Sequence, residues 1–380
     1  MSDRSSRHSL SDYEDKSIVA FCKDASRGKQ VSVDTAQWGK PDPKLEGLID
    51  AQFQIALDVY EADPKLLTEH ANQEDSFRTG GYAERQLFEL VQNAADAILR
   101  GDGRGRIELR LTKDTLYCAN EGAAFDAAGI DAVTHAYLSE KRGDEIGRFG
   151  LGFKSVLSVT ENAQVHSRSV SFEFNSARAK LALNALATDE QRLPEFRIPN
   201  LLDSSSAMDQ DPVLRELAEW ATTVIKMPGV MFRSRLEEQV TTFQTEFLLF
   251  ANAVKALRIV VSDESGTVFD QEHRCESLGE ETFEITTPAG VSEKWLVAEK
   301  QHLPSLAART EVGEALARKD FKISYAAPLA KGGSVGQFWA YFPFATRLPQ
   351  LGHSTRPGPS AMTEPPCWKA NTTGKFSSLS

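Results

Sequence analysis

The stretch Glu89-Leu-Val-Gln-Asn-Ala-Ala-Asp-Ala97 carries the most structural information in this sequence, because it predicts an amphipathic helix with a polar stripe. At about 100° per residue, Glu89, Asn93 and Asp96 fall within one arc of the helix. The opposite arc is apolar, as expected of a helix that packs on a sheet. Its members are Leu87, Leu90, Val91, Ala94, Ala95 and Ile98. We therefore predict a helix from Tyr82 to Arg100, ended by a glycine-rich turn.

The residue types on the polar stripe favour a binding site over a helix face that is merely solvated. Asparagine is a weak helix former in mid-helix, because its amide competes with the backbone for hydrogen bonds. A carboxylate at Glu89, one turn before the amide of Asn93, suits magnesium-dependent phosphate chemistry. The carboxylate would accept a proton from water, and the amide oxygen would help to complete the Mg²⁺ coordination. A solvated stripe without function is the alternative at this point.

A second informative stretch, Gly147-Arg-Phe-Gly-Leu-Gly-Phe-Lys154, places three glycines directly before an apolar run. Glycines allow positive φ and close approach of the backbone, and free N–H groups at a helix start bind anions. The spacing differs from that of the common phosphate loop and of the dinucleotide fingerprint. A tight structural turn with a packed Phe153 is the alternative. Lys154 is either a phosphate partner or a solvated lysine, and segment 139–148 is either a surface loop or a mobile lid.

The composition limits the class of protein and its partners. The chain has 380 residues, 41% of them hydrophobic, enough for two or three domains with real cores. The net charge of −11 argues against a general binder of nucleic acids or membrane surfaces. The four cysteines lie far apart without a CxxC pair, so neither a zinc site nor a disulfide framework is indicated. Since no apolar run approaches ~20 residues and no apolar signal region is found, a cytoplasmic protein is the simplest interpretation.

Periodic and alternating patterns predict further elements along the chain. Helical spacing runs from Leu45 to Leu67 with an interruption at Pro64, and residues 68–81 are predicted to form a loop. A strand pair is predicted over 223–236, followed by a long helix over 237–256. Further strands are predicted at 107–111, 115–120, 163–166, 170–174 and 257–262.

Three segments, taken in order, resemble the nucleotide-binding motifs of the GHKL ATPases. They are the Glu89–Ala97 helix, the triplet Asn120-Glu121-Gly122 and the loop from Gly147 to Val156. The likeness is greatest to the sacsin-like and heat-shock-ninety-like ATP-binding domains, and it covers roughly residues 45–345. The family's fold would be a two-layer α/β sandwich with helices on one face of a mixed sheet. A second, smaller α+β domain would follow it.

The resemblance implies a role for each residue of the site. Glu89 would orient and deprotonate the hydrolytic water, Asn93 would ligate magnesium, and Asp96 would help through water or hold the helix. The adenine pocket and the phosphate contacts would include Asn120, Gly122, Gly147, Gly150, Gly152, the backbone at Phe153 and the nearby Lys154.

Two positions depart from the family's pattern. The aspartate that usually reads adenine is Asn120 here, whose carbonyl accepts from the amino group but has no charge to strengthen the bond. The segment Gly229-Val-Met-Phe-Arg233 resembles the family's Gly-Thr-x-Phe-Arg in the strand beneath the nucleotide, but Val230 has no hydroxyl. For that segment we favour a structural strand over a nucleotide contact.

Resemblance and composition together divide the chain into four parts. We expect a loosely ordered extension over 1–45 and an ATP-binding domain over 46–245. A smaller, incomplete α+β domain would cover 246–345, and a disordered or aberrant tail would cover 346–380. Because the tail is rich in proline and small polar residues, a truncated or frameshifted end is one hypothesis for it. A genuine flexible tail is the other.

The function implied by the resemblance is Mg²⁺-dependent binding of ATP with slow hydrolysis, which would drive lid closure and formation of a homodimer. A protein client or effector of unknown identity would be the partner, in a chaperone-like or defence-associated role. A nucleotide-sensing module without turnover is one alternative. A DNA-transaction ATPase similar to MutL or topoisomerases is another, and the net charge of −11 weighs against it.

Overall fold

The computed structural model describes most of the chain between Trp38 and Leu348. The residues described are 38–79, 86–101, 103–134, 153–186, 193–303, 305–307, 310, 321–329, 336–340, 342–348, 368–370 and 376–378. Of the extension expected over residues 1–45, residues 1–37 lie outside this set.

Thirteen strands of the described chain form one mixed sheet. Their bounds are β1 Gly105–Leu111, β2 Thr115–Asn120, β3 Asn162–Ser167, β4 Ser171–Asn175, β5 Pro199–Leu201, β6 Thr223–Pro228, β7 Val254–Asp263, β8 Gly266–Gly279, β9 Thr282–Thr286, β10 Ser292–His302, β11 Phe321–Pro328, β12 Gly336–Ala340 and β13 Phe342–Leu348. Their spatial order is β13-β12-β11-β10-β9-β8-β7-β1-β2-β6-β3-β4-β5. Two more strands, β14 Trp368–Ala370 and β15 Phe376–Ser378, pair with each other in a separate two-stranded sheet.

The sheet passes without interruption through the domain boundary predicted near residue 245. β7 adds directly to β1 in parallel, with Ile107 opposite Leu257 and Leu109 opposite Ile259. The two neighbouring pairs, β1 with β2 and β7 with β8, are antiparallel. The first and second halves of the chain therefore share one hydrogen-bonded sheet, and the fold class is mixed α/β.

The helices of the described chain connect these strands and cover them. Their bounds are α1 Pro43–Ala62, α2 Lys65–Thr79, α3 Gln86–Arg100, α4 Ala127–Thr134, α5 Ser176–Leu183, α6 Ser204–Gln210, α7 Pro212–Ala218 and α8 Arg233–Thr241. Two 3-10 helices span Phe153–Ser158 and Thr245–Leu249. The predicted helix over 82–100 is confirmed from Gln86 to Arg100.

The main apolar core lies between α3 and one face of the sheet. Leu90 and Ile98 of α3 pack in the same core as Leu109 of β1 and Cys118 of β2. Successive side chains of a strand point to opposite faces, so this core takes every second residue of each strand. Full burial of one such side chain contributes about 1.5–3 kcal/mol, which is enough to fix α3 against the sheet.

Helices also cover the opposite face of the sheet, which corrects the expectation of helices on one face only. Tyr117 and Val224 point to that side and pack with Leu217 of α7. Arg110 of β1 donates two hydrogen bonds to the carboxylate of Glu216 on α7, at 2.7 and 2.8 Å. The polar residues on this face of strands β1 and β2 are therefore packed against helix α7 and are not simply exposed to solvent.

The prediction of a loop over residues 68–81 is wrong, because α2 continues to Thr79. Leu67, Ala71 and Glu74 are buried at helical spacing along this helix. The sequence pattern missed the helix because one of these buried positions is a glutamate, which interrupts the apolar periodicity.

The prediction of a long helix over 237–256 is also wrong. α8 ends at Thr241, the 3-10 helix Thr245–Leu249 follows, and β7 begins at Val254. Phe247, together with the two leucines after it, is buried, so this run lacks a polar side. A continuous apolar run does not separate a buried strand from a buried helix, and here it does not reveal the change from helix to strand.

Acid is expected to destabilise this fold through His166, which is fully buried at the contact of β3 with α6. Its Nδ1 lies 3.5 Å from the hydroxyl of Ser204, and its Nε2 lies 3.2 Å from the amide oxygen of Gln164. The pKa of His166 is lowered to about 3, mainly by burial; the Lys226 cation contributes to this shift and the Asp211 carboxylate opposes it.

An unfolded histidine titrates near pH 6.5, so between about pH 6.5 and 3 only the unfolded chain binds this proton. The stability contributed by neutral His166 is complete above pH 6.5 and is lost as the pH falls towards 3, at about 1.4 kcal/mol per pH unit. Urea unfolding at about pH 7 and 4.5 should therefore show an acid-induced loss about 2–3 kcal/mol smaller for His166→Gln than for the wild type. Equal losses in the two proteins would contradict the assignment.

Candidate functional site

α3 holds the predicted site residues at different depths. Glu89 and Asn93 are half-buried, whereas Asp96 is only 2% exposed. The structure therefore excludes a uniformly solvated stripe, the alternative that the sequence left open. Burial of a carboxylate is costly unless neighbouring groups compensate its charge. Asp96 thus belongs to the packing around α3, while Glu89 and Asn93 reach its accessible edge.

The turn after β2 docks directly on the last turns of α3. The amide of Ala123 donates to the carbonyl of Ala97 at 2.8 Å. Gly122 has a φ of +106°, and a Cβ at this position would lie 2.5 Å from both the Ala97 oxygen and the Ile98 Cα. Gly101, directly after α3, also approaches the turn closely, since its Cβ would lie 3.0 Å from the Gly122 Cα. Only glycine satisfies both the backbone angle and the close approach at residue 122.

Asn120 ends β2 immediately before this turn and is 4% exposed. Its main-chain carbonyl accepts from the amide of Thr222 at 2.8 Å. Its side-chain Nδ2 donates to the carbonyl of Glu121 at 2.7 Å. Since the amide nitrogen is engaged within the turn, the amide oxygen is the atom that would accept a hydrogen bond from a ligand.

A pair of hydroxyl groups lies beside Asn120, and the sequence analysis did not identify it. Thr223 of β6 is the cross-strand partner of Asn120, and its hydroxyl lies 3.0 Å from that of Ser167. Ser167 in turn accepts from the amide of Phe125 at 3.1 Å. The β-branched run beginning at Thr223 was a signal for the strand, but only the register of the sheet places the threonine beside Asn120.

The segment Gly229–Arg233 does not form the strand that was predicted for it. β6 ends at Pro228, Gly229 turns the chain with a φ of +64°, and α8 begins at Arg233. The Arg233 guanidinium donates to the main-chain carbonyl of Thr112 at 2.9 Å, so it braces the β1–β2 turn. This segment is therefore a connector between β6 and α8, and the strand beside Asn120 is the preceding run, Thr223–Pro228.

The described part of the glycine-rich loop is its end, because Gly147, Gly150 and Gly152 lie outside the described residues. Phe153 begins the 3-10 helix Phe153–Ser158, which packs against α3 and α2. The Phe153 ring is 7% exposed, and its centroid lies 6.2 Å from those of Phe174 and Phe196. The end of the loop is therefore anchored in the core beside α3.

Lys154 lies inside this core, so its alternative role as a solvated lysine is excluded. The residue is 2% exposed, and its ammonium donates to the carbonyls of Val133 at 2.8 Å and Phe196 at 2.7 Å. Burial lowers the pKa of Lys154 to about 7, an effect that the Glu74 carboxylate opposes and the Arg197 cation reinforces. In this arrangement the ammonium is committed to main-chain carbonyls.

The structure thus brings the first two sequence motifs together and places the end of the third against them. α3 is common to all three, since it packs against β2 and against the 3-10 helix Phe153–Ser158. Glu89, Asn93 and Asp96 lie on this helix, and the turn that follows Asn120 docks at Ala97 and Ile98, directly after Asp96. Among the predicted site residues that the structure describes, Lys154 directs its ammonium group to main-chain carbonyls in the core.

Comparisons with known proteins give distant similarities. No family model matches the chain. Protein NO VEIN of Arabidopsis thaliana is 27% identical over 162 residues, which cover 42% of this chain and 6% of the length of NO VEIN. The crystal structure of the N-terminal domain of a DNA repair protein aligns with a TM-score of 0.33 and 10% identity, over 68% of this chain and 70% of that one. A TM-score of this size does not identify a shared fold, so the architecture described above rests on the strands and helices themselves.

Within the part of the chain that the structure describes, none of the helices has both the length and the apolar character needed to cross a bilayer.

Proposed function

We propose that this chain binds ATP together with Mg²⁺ at α3 and the turn after β2, and that it hydrolyses the nucleotide slowly. The observation that carries the proposal is the docking of the Gly122 turn on α3, with a hydrogen bond from Ala123 to Ala97. Two motifs that are separate in sequence thereby lie side by side, one with a carboxylate and an amide, the other with a buried amide. The combination suits a ligand with both a metal-bound phosphate end and a base.

Each residue has a separate task in this proposal. The amide oxygen of Asn93, at the accessible edge of α3, would be the protein ligand to magnesium, with phosphate oxygens and water completing the shell. Asn120 would accept a hydrogen bond from the adenine amino group, with the Thr223 and Ser167 hydroxyls beside it. The phosphate chain would lie against the glycine-rich loop that ends at Phe153. The bound magnesium would supply charge neutralisation on the phosphates.

Glu89 lies one turn before Asn93 on the same face of α3, and it is half-buried rather than fully exposed. We assign it the role of orienting the attacking water and accepting its proton. Lid closure, assembly of a homodimer and action on a protein client would follow from nucleotide binding. We infer these later steps from the sequence motifs.

A nucleotide-sensing module without turnover is the second candidate, and Asn120 favours it. A neutral amide holds adenine less firmly than a carboxylate would, because the hydrogen bond lacks the assistance of a charge. Both candidates require magnesium-dependent binding of ATP. They differ in hydrolysis alone, so a single-turnover assay with radiolabelled ATP separates them.

Titration calorimetry with ATP tests the shared claim. The wild-type chain is expected to bind ATP in excess Mg²⁺ and to bind it at least tenfold more weakly in excess EDTA. Asn93→Ala should remove most of that difference, because it removes the proposed metal ligand; a tenfold loss corresponds to about 1.4 kcal/mol. Asn184→Ala, at an exposed position after α5, is the matched control and should bind as the wild type does. A folded wild-type chain with no magnesium-dependent binding would refute the proposal.

A further inference from the structure

A buried polar cluster joins α2 to the segment around Phe196, and the proposed function does not use it. Glu74 of α2 is 5% exposed, and its two carboxylate oxygens accept from the amides of Glu195 at 2.7 Å and Phe196 at 3.0 Å. The carbonyl of the same Phe196 accepts from the Lys154 ammonium at 2.7 Å. The backbone at residues 195–196 is therefore held by a carboxylate through its N–H groups and by an ammonium through its carbonyl.

The second hydrogen bond of Lys154 connects two distant points of the chain. The ammonium also donates to the carbonyl of Val133, in the last turn of α4, at 2.8 Å. Val133 precedes residues 135–152 and Lys154 follows them, so one side chain ties together the two chain positions that flank this segment. The three glycines assigned to the phosphates belong to the segment by sequence.

The charges around Lys154 explain why the ammonium stays in the core. Burial of an isolated ammonium is costly, and a nearby carboxylate reduces that cost. Glu74 supplies this negative charge, and burial raises the pKa of Glu74 while the Lys154 cation opposes the rise. The ammonium also lies 5.5 Å from the ring centroids of Phe174 and Phe196, within the range of a cation–π interaction.

The rest of the cluster is closed by further ion pairs and hydrogen bonds. Arg78 of α2 forms an ion pair with the Glu195 carboxylate, which also accepts from the Ser176 hydroxyl at 2.9 Å. Arg197 donates to the amide oxygen of Gln73 at 2.7 Å. Side chains of α2 thus contact three successive residues, 195–197.

We propose that Lys154 and Glu74 are a positioning pair, which fixes α4, the 3-10 helix Phe153–Ser158 and residues 195–196 in one arrangement and thereby holds the two chain positions that flank residues 135–152. Lys154 supports nucleotide binding by holding these two chain positions and does not itself contact phosphate. This inference rests on the proposed function, because the loop matters only where a nucleotide binds there. The Lys154 ammonium holds both flanks of residues 135–152 whether or not a ligand is bound.

The variant Lys154→Met tests the pair, with Lys226→Met as the matched control. Lys226 is also a largely buried lysine, 16% exposed at its side chain, and its ammonium lies 2.8 Å from Asp211. It lies on the α6–α7 face of the sheet, away from α3. Both variants lose a paired lysine, but only Lys154→Met is expected to weaken binding of Mg²⁺-ATP by tenfold or more. Lys226→Met should stay within about twofold of the wild type, with a comparable loss of stability.

Hydrogen–deuterium exchange without nucleotide provides a readout that does not depend on ATP. Peptides covering 127–134 and 153–158 should exchange at least tenfold faster in Lys154→Met than in Lys226→Met, because both flanks lose a shared anchor. Should Lys154→Met fail to fold, Glu74→Gln replaces it, since that change keeps the volume and removes the compensating charge. The same two peptides and the same loss of affinity are expected for it.

The outcomes separate the inference from the proposed function. If the wild type binds no ATP, the proposed function fails, and exchange of the two peptides still decides whether the pair holds both flanks. Normal exchange and normal ATP affinity in Lys154→Met would overturn the inference. Loss of ATP affinity with normal exchange would also overturn it, because Lys154 would then be a direct phosphate ligand. Faster exchange in both peptides together with weaker binding is the result that supports the positioning pair.

Discussion

Replacing Gly122 with alanine is expected to destabilise the protein severely and to abolish ATP binding by the chain that still folds. The backbone there has a φ of +106°, a region that costs a side-chain-bearing residue about 1–3 kcal/mol. In addition, the new Cβ would lie 2.5 Å from the Ala97 oxygen and 2.6 Å from the Ile98 nitrogen. Those atoms belong to the backbone of α3, so the turn itself must withdraw. We expect a loss of about 3–5 kcal/mol in the free energy of unfolding.

The chain provides a close control for this prediction at Gly103. That glycine also has a positive φ, +72°, but apart from its chain neighbours no atom of the described residues lies within 4 Å of the position of its Cβ. Gly103→Ala therefore isolates the cost of the backbone angle, about 1–2 kcal/mol, from the cost of the steric conflict. Urea unfolding and calorimetry with Mg²⁺-ATP should separate the two variants clearly. If both lost the same stability and both bound ATP normally, the close docking of the turn on α3 would have no role in the site.

Glu89→Gln is expected to leave Mg²⁺-ATP binding within a few-fold of the wild type and to reduce hydrolysis by about 10²–10⁴-fold. The amide keeps the size of the carboxylate but does not accept a proton from the attacking water. Because the substitution also removes one negative charge near the phosphates, a modest gain in ATP affinity would agree with the assignment. Single-turnover hydrolysis is the measurement, since slow product release does not mask the chemical step there.

The control for Glu89 is Glu61→Gln, at an exposed position near the end of α1, which should hydrolyse ATP at the wild-type rate. A normal rate for Glu89→Gln would show that another group is the base. No hydrolysis in the wild type, with binding intact, would instead favour the sensing module. These two results point to different revisions, so the experiment distinguishes a wrong residue from a wrong function class.

The sequence predicted correctly those helices and strands whose type and bounds are determined by a local pattern of residues. α3 has a continuous apolar arc, and its prediction is confirmed over Gln86–Arg100. β2 has the bounds predicted for it, Thr115–Asn120. α2 was missed because one of its buried positions is Glu74, whose partners are 121 and 122 residues away in the chain. A buried charge looks like a surface charge in sequence, and only the tertiary contacts distinguish the two.

The same limit applies to the candidate site. The sequence motifs identified Asn120 and Gly122 as candidate site residues. The local sequence does not predict that Thr223 lies beside Asn120, because that neighbourhood depends on the register of β2 with β6. Lys154 was open to two interpretations in sequence, and the structure gives it a third environment, among main-chain carbonyls. Residue type and spacing thus identified the groups with relevant chemistry, while their partners depended on pairings between distant segments.

The parallel pairing of β1 with β7 has a consequence for how the chain reaches its native state. The partner of Ile107 is Leu257, about 150 residues later in the chain. Pairing of such distant segments is slow, because a long stretch of chain must be brought together before the two strands meet. During synthesis β1 and β2 leave the ribosome long before β7, and until it arrives one side of β1 presents unpaired N–H and C=O groups. An open strand edge of this kind invites association with other chains. A chain that stopped short of Val254 would keep that edge permanently, in the middle of what should be the sheet.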